Sequence, residues 1–483
     1  MEPITLGALA LAVGGELAGP GADPARHVGP GVVIDSRQAD AGALFVALPG
    51  ERVDGHDYVA VAAAAGAGAA LVTRAVDADL PQVVVGDTAT ALADLATDIV
   101  ARARAAGLVV VGVTGSSGKT STKDLIADVL EAAGPTVAPP GSFNNEIGAP
   151  LTACRVDADA RYLVAEMGAR GIGHVAWLCR VTPPTIGAVL NVGHAHLGEF
   201  GSVDAIALAK GELVEALDAG GWAVLNADDA RVIAMALRTS ARIAAFSTRA
   251  DPAATGADLR VWASDAVADD LQRFRFTLHV AGGDRPDASA PVALRVLGEH
   301  QVANALAAAA VGLAAGLGAE AIADALSGAA SRSRWRMELT TRDDGLAILN
   351  DAYNANPDSM SAALGALSRL RRPGGRLVAA LGDMLELGPD AAAAHRGMGE
   401  LAAELGIDEL AATGEFGADL VGGFADSGRP ARYFGDVDAL TAHLSGTLQG
   451  ADVVLVKASR GLALERVAAS LGDGTHDETE GAH

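Results

Sequence analysis

Cysteine is nearly absent from this 483-residue chain: Cys154 and Cys179 stand alone, neither with a close Cys or His neighbour in sequence. That excludes a disulfide framework and a zinc site, leaves two small apolar residues for a core, and fits the reducing cytoplasm. Basic charge is also short, with 36 Lys and Arg against 60 Asp and Glu, a formal net charge of −24. A surface for nucleic acid or an anionic membrane needs the opposite excess. Any phosphate ligand must therefore be held by local devices: backbone amides, helix N-termini, Mg²⁺ and a few placed Arg or Lys residues. Long apolar runs are missing too. No stretch approaches the ~20 residues of a membrane span, and the opening "MEPITLGALALAVGGELAG" carries Glu2 where a secretory leader would carry Lys or Arg. It reads as a short strand and helix of a soluble domain, with no membrane insertion.

Aromatic residues make up only 4% of the chain, whereas half the residues are hydrophobic, many of them alanine, and there are 59 glycines. That composition predicts a helix-rich α/β protein with many tight strand-to-helix turns. At about 150 residues per domain, the length predicts three of them. We set the boundaries at 1–86, a small α/β unit; 87–329, a central unit with a largely parallel sheet; and 330–472, a Rossmann-like α/β unit. The acidic, polar stretch 473–483 is expected to be a disordered tail.

Apolar runs predict strands at 32–34, 43–47, 70–73 and 83–85 in the first unit, and at 108–113, 161–166, 185–191, 222–225 and 243–247 in the second. Runs apolar throughout suit parallel strands covered on both faces. "LQRFRFTLHV" differs, because Phe274, Phe276, Leu278 and Val280 alternate with polar residues. That is a half-exposed antiparallel strand. Helices at 301–315 and 319–328 precede "SGAASRSRWRM", which breaks the helical pattern as a linker would. Strands near 345–350, 376–381, 409–413, 431–434 and 452–457 follow.

The most informative stretch is "VVGVTGSSGKTSTKD" (110–124). A buried strand runs into a turn with Gly115 and Gly118. A helix then starts whose Leu125, Ile126, Val129 and Leu130 form one apolar stripe. Strand, glycine turn and helix N-terminus make a nest of amides for phosphate oxygens, with Lys119 reaching the terminal phosphates and the Thr120 hydroxyl available to Mg²⁺. The strict phosphate-loop pattern needs glycine at 113, where this chain has Val113. A second glycine motif, Gly171-Ile-Gly-His-Val-Ala176, satisfies the loose dinucleotide pattern. It begins five residues beyond a strand end, and Asn191 stands where an acid should follow, so a nicotinamide enzyme is not indicated.

Three further positions fall at the same expected sheet edge. Glu166 ends the strand "RYLVAE" and can hold Mg²⁺ directly or through water; it could equally be a capping or surface residue. The next strand runs into "NVGHAHLGEFGS", bringing His194 and His196, each either a metal ligand or an ordinary loop histidine. In the helix "SVDAIALAKGELVEAL", Lys210 shares a face with Ile206, Leu213 and Leu217. Such a lysine either snorkels to the surface or is buried, with a lowered pKa and a neutral amine open to covalent chemistry.

Taken together, "TGSSGKTST", "GSFNNEIGAPLT", "AEMG", "NVGHAHLGEFGS" and "AKGE" resemble the Mur ligases, ATP-dependent amide ligases that build the peptide of bacterial cell-wall precursors. The family's phosphate signature, Thr-Gly-x-x-Gly-Lys-Thr-Ser/Thr, is met by Thr114 to Ser121 without a glycine at 113. "NDAYNANPDSM" and "LGDMLELG" are similar to the member that joins D-alanyl-D-alanine to UDP-N-acetylmuramoyl-tripeptide; "DSRQADAGALFVALPGERVDGHDYV" and "VLVKASRGLALE" fit as well. The resemblance runs from about residue 30 to residue 466.

The resemblance implies a first domain holding the UDP end of the substrate, a central ATPase and a third domain that closes over the nucleotide and brings the amine. It implies ATP contacts from Thr114, Gly115, Ser116, Ser117, Gly118, Lys119, Thr120 and Ser121, with Asn304 at the adenine, Asp351 at the ribose and Arg336 crossing to the phosphates. Two Mg²⁺ ions are implied, with Thr120 and Glu166 serving one. His196 and Lys210, the latter as a carbamate made from CO₂, serve the other. Lys119, Glu166, His196, Lys210 and Arg336 are thereby the expected catalytic set. Ser36 and Arg37 match the uridine-nucleotide motif; Asn144, Asn145, Asn354, Asn356, Asp383 and Glu386 are the remaining substrate candidates, the last four on the amine side. Gln301, Trp335 and Ala458 depart from the family pattern, at nucleotide and substrate contacts rather than at phosphate or metal ligands. A monomer is expected. An ATP-driven switch sharing only the loop, a homologue without turnover and a sibling ligase adding another residue are the competing readings.

Overall fold

The computed structural model describes residues 1–50, 53–193, 197–283 and 286–472, with Leu197 described by its backbone alone. Three main sheets divide the described chain. The first has five strands, in spatial order Glu16–Ala18, Gln82–Val84, Ala69–Val72, Leu44–Val46 and Val32–Val33; every pairing is parallel except the one made by Glu16–Ala18. The opening residues form the expected short strand, Ile4–Thr5, and helix, Leu6–Ala12.

The 18-residue helix Thr88–Ala105 joins this sheet to the next. Asp87 caps it, accepting from the Thr90 amide at 2.7 Å, which satisfies one of the free donors at a helix start. Its Leu92, Leu95, Ile99 and Val100 pack in one core with Leu44, Leu71 and Val83 of the first sheet and with Val110 and Leu163 of the second.

The central sheet has nine strands. The five strands toward one edge are Trp222–Asn226, Ile186–Val189, Val109–Thr114, Tyr162–Glu166 and, at the edge itself, Thr136–Val137, all parallel. Tyr162–Glu166 and Ile186–Val189 are buried at every position, which is why they read as apolar runs, broken only by Glu166 at the strand end. At the other end, Arg273–Gly282 is antiparallel to both its neighbours, with Phe274, Phe276, Leu278 and Val280 buried and Arg275 exposed. The alternation predicted that strand. Its partners Leu259–Ala268 and Ala288–Leu297 were not anticipated. The second contains Pro291, which is tolerated because this strand is the sheet's outer edge.

The third sheet has the order Glu338–Thr341, Ala347–Asn350, Val453–Lys457, Leu377–Leu381, Glu409–Thr413 and Ala431–Phe434, parallel apart from the first pairing. The whole is a mixed α/β architecture with largely parallel sheets, as the composition and the apolar runs predicted. Between the second and third sheets, residues 329–337 form no helix or strand. They are nonetheless anchored: Arg332 donates to Asp128 Oδ1 at 2.7 Å and to Glu131 Oε1 at 2.8 Å, both on the helix that follows the glycine turn.

Cys154 and Cys179 are buried and free, and burial pushes both thiols up to about 12. They are inert core residues. No described helix is long and apolar enough to cross a membrane. His194, His196 and the expected tail 473–483 lie outside the described residues.

Candidate active site

In a parallel sheet every strand delivers its C-terminal end to the same edge. Val109–Thr114 is flanked by Tyr162–Glu166 on one side and Ile186–Val189 on the other, with Glu166 in register with Val113 and Val189 with Thr114. The residues just past these ends therefore meet around the glycine turn. Gly118 caps the helix Lys119–Glu131 with φ +77°, and a Cβ there would lie 2.8 Å from Asn304 Oδ1. Both facts require glycine.

From one flank, Asn191 Oδ1 accepts from the Ser116 amide at 2.9 Å and the Ser117 amide at 3.0 Å. Asn191 Nδ2 donates back to the Ser117 carbonyl at 3.2 Å. From the other flank comes Glu166, fully buried. Its Oε1 accepts from Ser142 Oγ at 2.8 Å and Asn144 Nδ2 at 2.7 Å, while its Oε2 has no hydrogen-bond partner. Ser142 Oγ also lies 2.8 Å from Thr120 Oγ1. A buried carboxylate oxygen without a partner is costly. Beside two hydroxyls and a phosphate nest it fits a hard cation such as Mg²⁺, which needs only one or two protein oxygens when phosphates and water complete its shell.

Lys119 Nζ donates to the Gly115 carbonyl at 2.7 Å. Burial lowers its pKa, with Glu166 opposing the shift and Arg336 adding to it. Lys210, in helix Val203–Glu215, shares the buried face with Ile206, Leu213 and Leu217 as its spacing predicted. It does not snorkel. Its side chain lines the same cleft as Lys119, and burial holds its pKa well below the usual lysine range, with the Lys119 charge adding to the effect.

Arg336 reaches in from the segment that precedes the third sheet. Its Nη2 donates to Thr120 Oγ1 at 3.0 Å, and its guanidinium stacks on Tyr353 at 4.2 Å. The cleft thus formed has a volume of about 410 Å³, walled by the glycine turn, Glu166 and Lys210 from the central unit and by Tyr353, Asn354, Ser459 and Arg460 from the C-terminal one. Among the described residues no group of three His, Cys, Asp or Glu is arranged to hold a metal ion.

The other expected residues fall in three groups. Asn144, Asn145, Asn354, Asn356 and Glu386 line the cleft, although Asn356 also caps helix Pro357–Ser368 by accepting from the Ser359 amide at 2.8 Å. Asn304 and Asp351 lie close by with their polar atoms engaged: Asn304 accepts from Thr122 Oγ1 at 3.1 Å, and Asp351 Oδ2 pairs with the buried Lys457 at 2.5 Å. Asp383 accepts the Glu415 and Phe416 amides at 2.8 and 2.9 Å, and Ser36 and Arg37 belong to the first unit, where Arg37 pairs with Asp35. None of these three lines the cleft.

Asn191, Ser142 and Tyr353 escaped the sequence reading as site residues. Asn191 carried a usable signal: it ends the strand expected at 185–191, at the same sheet edge, which is the reasoning that found Glu166. The rival glycine motif is spoken for by the chain itself. The Gly173 and Ala176 amides at the start of helix His174–Val181 donate to the Glu212 carboxylate at 2.5 and 2.9 Å. A carboxylate sits where a dinucleotide's pyrophosphate would have to lie.

Comparison with known proteins agrees with this geometry. Three family models match: the Mur ligase family catalytic domain over residues 30–113, the Mur ligase middle domain over 113–312 and the Mur ligase glutamate ligase domain over 335–460. The chain is 45% identical to the UDP-N-acetylmuramoyl-tripeptide--D-alanyl-D-alanine ligase of Mycobacterium tuberculosis strain H37Rv, over 98% of each chain. It superposes on the UDP-N-acetylmuramoylalanyl-D-glutamyl-2,6-diaminopimelate--D-alanyl-D-alanyl ligase of Acinetobacter baumannii with a TM-score of 0.81 and 31% identity, over 98% of each chain. With the Thermotoga maritima MurF ligase solved in complex with ADP the TM-score is 0.72 at 28% identity, over 91% of this chain and 96% of that one. The chain belongs to the Mur ligase family.

Proposed function

We propose that this protein is the ATP-dependent ligase that joins D-alanyl-D-alanine to UDP-N-acetylmuramoyl-tripeptide, acting in the cytoplasm. One observation carries the reading beyond family membership. A single cleft holds the Lys119 phosphate loop, the half-satisfied carboxylate of Glu166, the buried Lys210 and, from the C-terminal unit, Arg336. That set suits the meeting of two anions, a carboxylate and a triphosphate. Residues 1–86 would hold the UDP end, 87–329 the ATP and 330–472 the incoming amine.

A carboxylate does not condense with an amine in neutral water, because its oxygen is a poor leaving group. Phosphorylation by ATP turns that oxygen into phosphate, and the acyl phosphate is then open to the amine. The amides of Ser116, Ser117 and Gly118 and the Lys119 ammonium would receive the phosphates at the helix N-terminus. Arg336, held flat on Tyr353, would neutralise charge on the transferring group, and its tie to Thr120 would couple that role to closure of the C-terminal unit. Thr120 and Glu166, with Ser142, would hold Mg²⁺, which supplies charge neutralisation on the phosphate oxygens. Lys210 in its lowered-pKa state offers a neutral amine, the form that CO₂ carbamylates; the resulting anion, with His196, would serve a second Mg²⁺. An α-amine of pKa ~7.7–8.0 is already partly neutral at pH 7, so positioning and exclusion of water matter more here than a strong base.

The test is a phosphate-release assay on the purified protein. ATP should be consumed only when both UDP-muramoyl tripeptide and D-alanyl-D-alanine are present. Equal release with either omitted would sink the ligase reading in favour of an ATP-driven switch.

A further inference from the structure

Beyond the phosphate machinery, one wall of the cleft carries opposite charges that make no hydrogen bond to each other. Arg170 lies on the segment between strand Tyr162–Glu166 and helix His174–Val181. The segment is pinned at both ends, by the Gly168 amide donating to the Asn144 carbonyl at 2.9 Å and by Glu212 accepting from Gly173 and Ala176. Facing it from the C-terminal unit, Glu386 is held at φ +66°, a conformation disfavoured for any residue with a Cβ. The nearest approach of Arg170 Nη2 to Glu386 Oε1 is 3.8 Å, and both side chains line the cleft. Glu146 and His174, 3.4 Å apart, line it too. Glu199 shares the field: its carboxyl is pushed up by burial and then by the Glu386 charge, with Arg170 and His174 opposing.

We infer that Arg170 and Glu386 form a specificity subsite for the third residue of the tripeptide, and that they read an α-amino acid head at the end of its side chain, as in 2,6-diaminopimelate. The inference rests on the ligase reading. In that reaction the activated carboxylate and the third residue's side chain leave the same carbon. A four-bond carbon chain spans roughly 5 Å at about 1.5 Å per bond, so the side-chain head must find its partners on the walls of this same cleft.

The choice of head follows from the charges. A diaminopimelyl head carries ammonium and carboxylate on one carbon and needs adjacent partners of opposite sign; Arg170 offers a planar fork for the carboxylate and Glu386 an acceptor for the ammonium. A lysyl side chain has no carboxylate for Arg170. The α-carboxylate of a γ-linked glutamyl residue has no ammonium beside it, and in D-alanyl-D-alanine the two charges are separated by a peptide unit, with the amine committed to the reaction. This assignment moves Glu386 from the amine substrate, where the sequence placed it, to the tripeptide.

The experiment compares kcat/KM for two UDP-muramoyl tripeptides, diaminopimelyl and lysyl, at saturating ATP and D-alanyl-D-alanine, in the full-length wild type, Arg170→Ala and Glu386→Gln. The wild type should prefer the diaminopimelyl substrate. Arg170→Ala should cut that preference about tenfold, mainly through KM for the tripeptide, as expected when charged hydrogen bonds at an open rim are lost. Glu386→Gln should instead raise KM for both tripeptides, because the lysyl ammonium sits on the same carbon as the diaminopimelyl one. Arg170 is exposed, with 68% of its side chain accessible, so thermal unfolding should match the wild type and separate lost recognition from misfolding. An unchanged preference or an equal loss on both tripeptides in Arg170→Ala, or an unchanged tripeptide KM in Glu386→Gln, would overturn the subsite alone. Absence of wild-type turnover on both tripeptides would overturn the ligase reading and the subsite with it.

Discussion

Arg336 Nη2 donates to Thr120 Oγ1 at 3.0 Å, across 216 residues of sequence. The bond ties the first turn of the helix after the phosphate loop to the segment that leads into the C-terminal sheet. Arg336 meets Tyr353 on its flat face, and its Nε is buried without a partner. A planar fork with five donors can stack, reach Thr120 and still offer a donor to a phosphate; an ammonium cannot. Arg336→Lys should therefore lower kcat/KM for ATP about 100-fold with little change in thermal unfolding. A coupled assay of ADP release measures this, and an unchanged value would remove Arg336 from the machinery.

Glu166 supports a prediction in which activity and stability part. Its carboxylate is fully buried, and Ser142 and Asn144 satisfy only Oε1. Glu166→Gln keeps an oxygen for those two donors and removes the buried charge. Resistance to urea should hold or rise, as is common when a functional group is relieved of a costly setting. The Mg²⁺ concentration that half-saturates turnover should rise about tenfold or more. Turnover with an unaltered Mg²⁺ dependence would show that Glu166 does not serve the ion.

Asn191 separates loop stability from phosphate binding. Without its side chain the Ser116 amide keeps the Asn191 backbone carbonyl at 3.1 Å, but the Ser117 amide loses its acceptor. Asn191→Ala should cost about 1–3 kcal/mol of unfolding free energy and raise KM for ATP. Asn191→Asp retains the acceptor while adding a negative charge beside the phosphates. It should unfold like the wild type in urea yet bind ATP more weakly than the alanine variant. If the two variants lose stability equally, the side-chain oxygen is not what holds the loop.

What could be read from the sequence follows from how local each feature is. The phosphate loop is contiguous, so Thr114 to Ser121 carry strand, turn and helix start in one stretch. The strands Val109–Thr114, Tyr162–Glu166 and Ile186–Val189 are buried almost throughout and are therefore apolar up to their C-terminal ends. Leu259–Ala268 and Ala288–Leu297 escaped because one face is wet and their apolar residues are mostly small; Asp265 and Pro291 interrupt them, and only pairing with Arg273–Gly282 makes them strands. The site divides the same way. Glu166 and Lys210 announced themselves by a strand end and a helix face. Tyr353 became visible only when the fold brought it under Arg336. Asp383 and Asn356 sit in suggestive motifs, yet their oxygens accept backbone amides, which spacing alone cannot reveal.

Lys210 yields the sharpest pH prediction. Its native pKa is lowered well below 10.5 by burial and by the Lys119 charge, whereas the unfolded chain returns it to the ordinary value. Between the two values the unfolded state binds more protons than the native one, so this group's contribution to stability rises with pH. The cost of Lys210 is fully present below its native pKa and vanishes near pH 10.5. In buffer purged of CO₂, Lys210→Met should thus be more stable than the wild type at neutral pH, with the gain shrinking as the pH approaches 10.5. Urea unfolding across that window tests the sign. In the same variant ligation should be abolished, while in the wild type bicarbonate should raise turnover most at low pH, where the neutral amine is scarcest. A constant stability difference across the window, or full activity in the variant, would mean that Lys210 is neither desolvated nor chemically engaged.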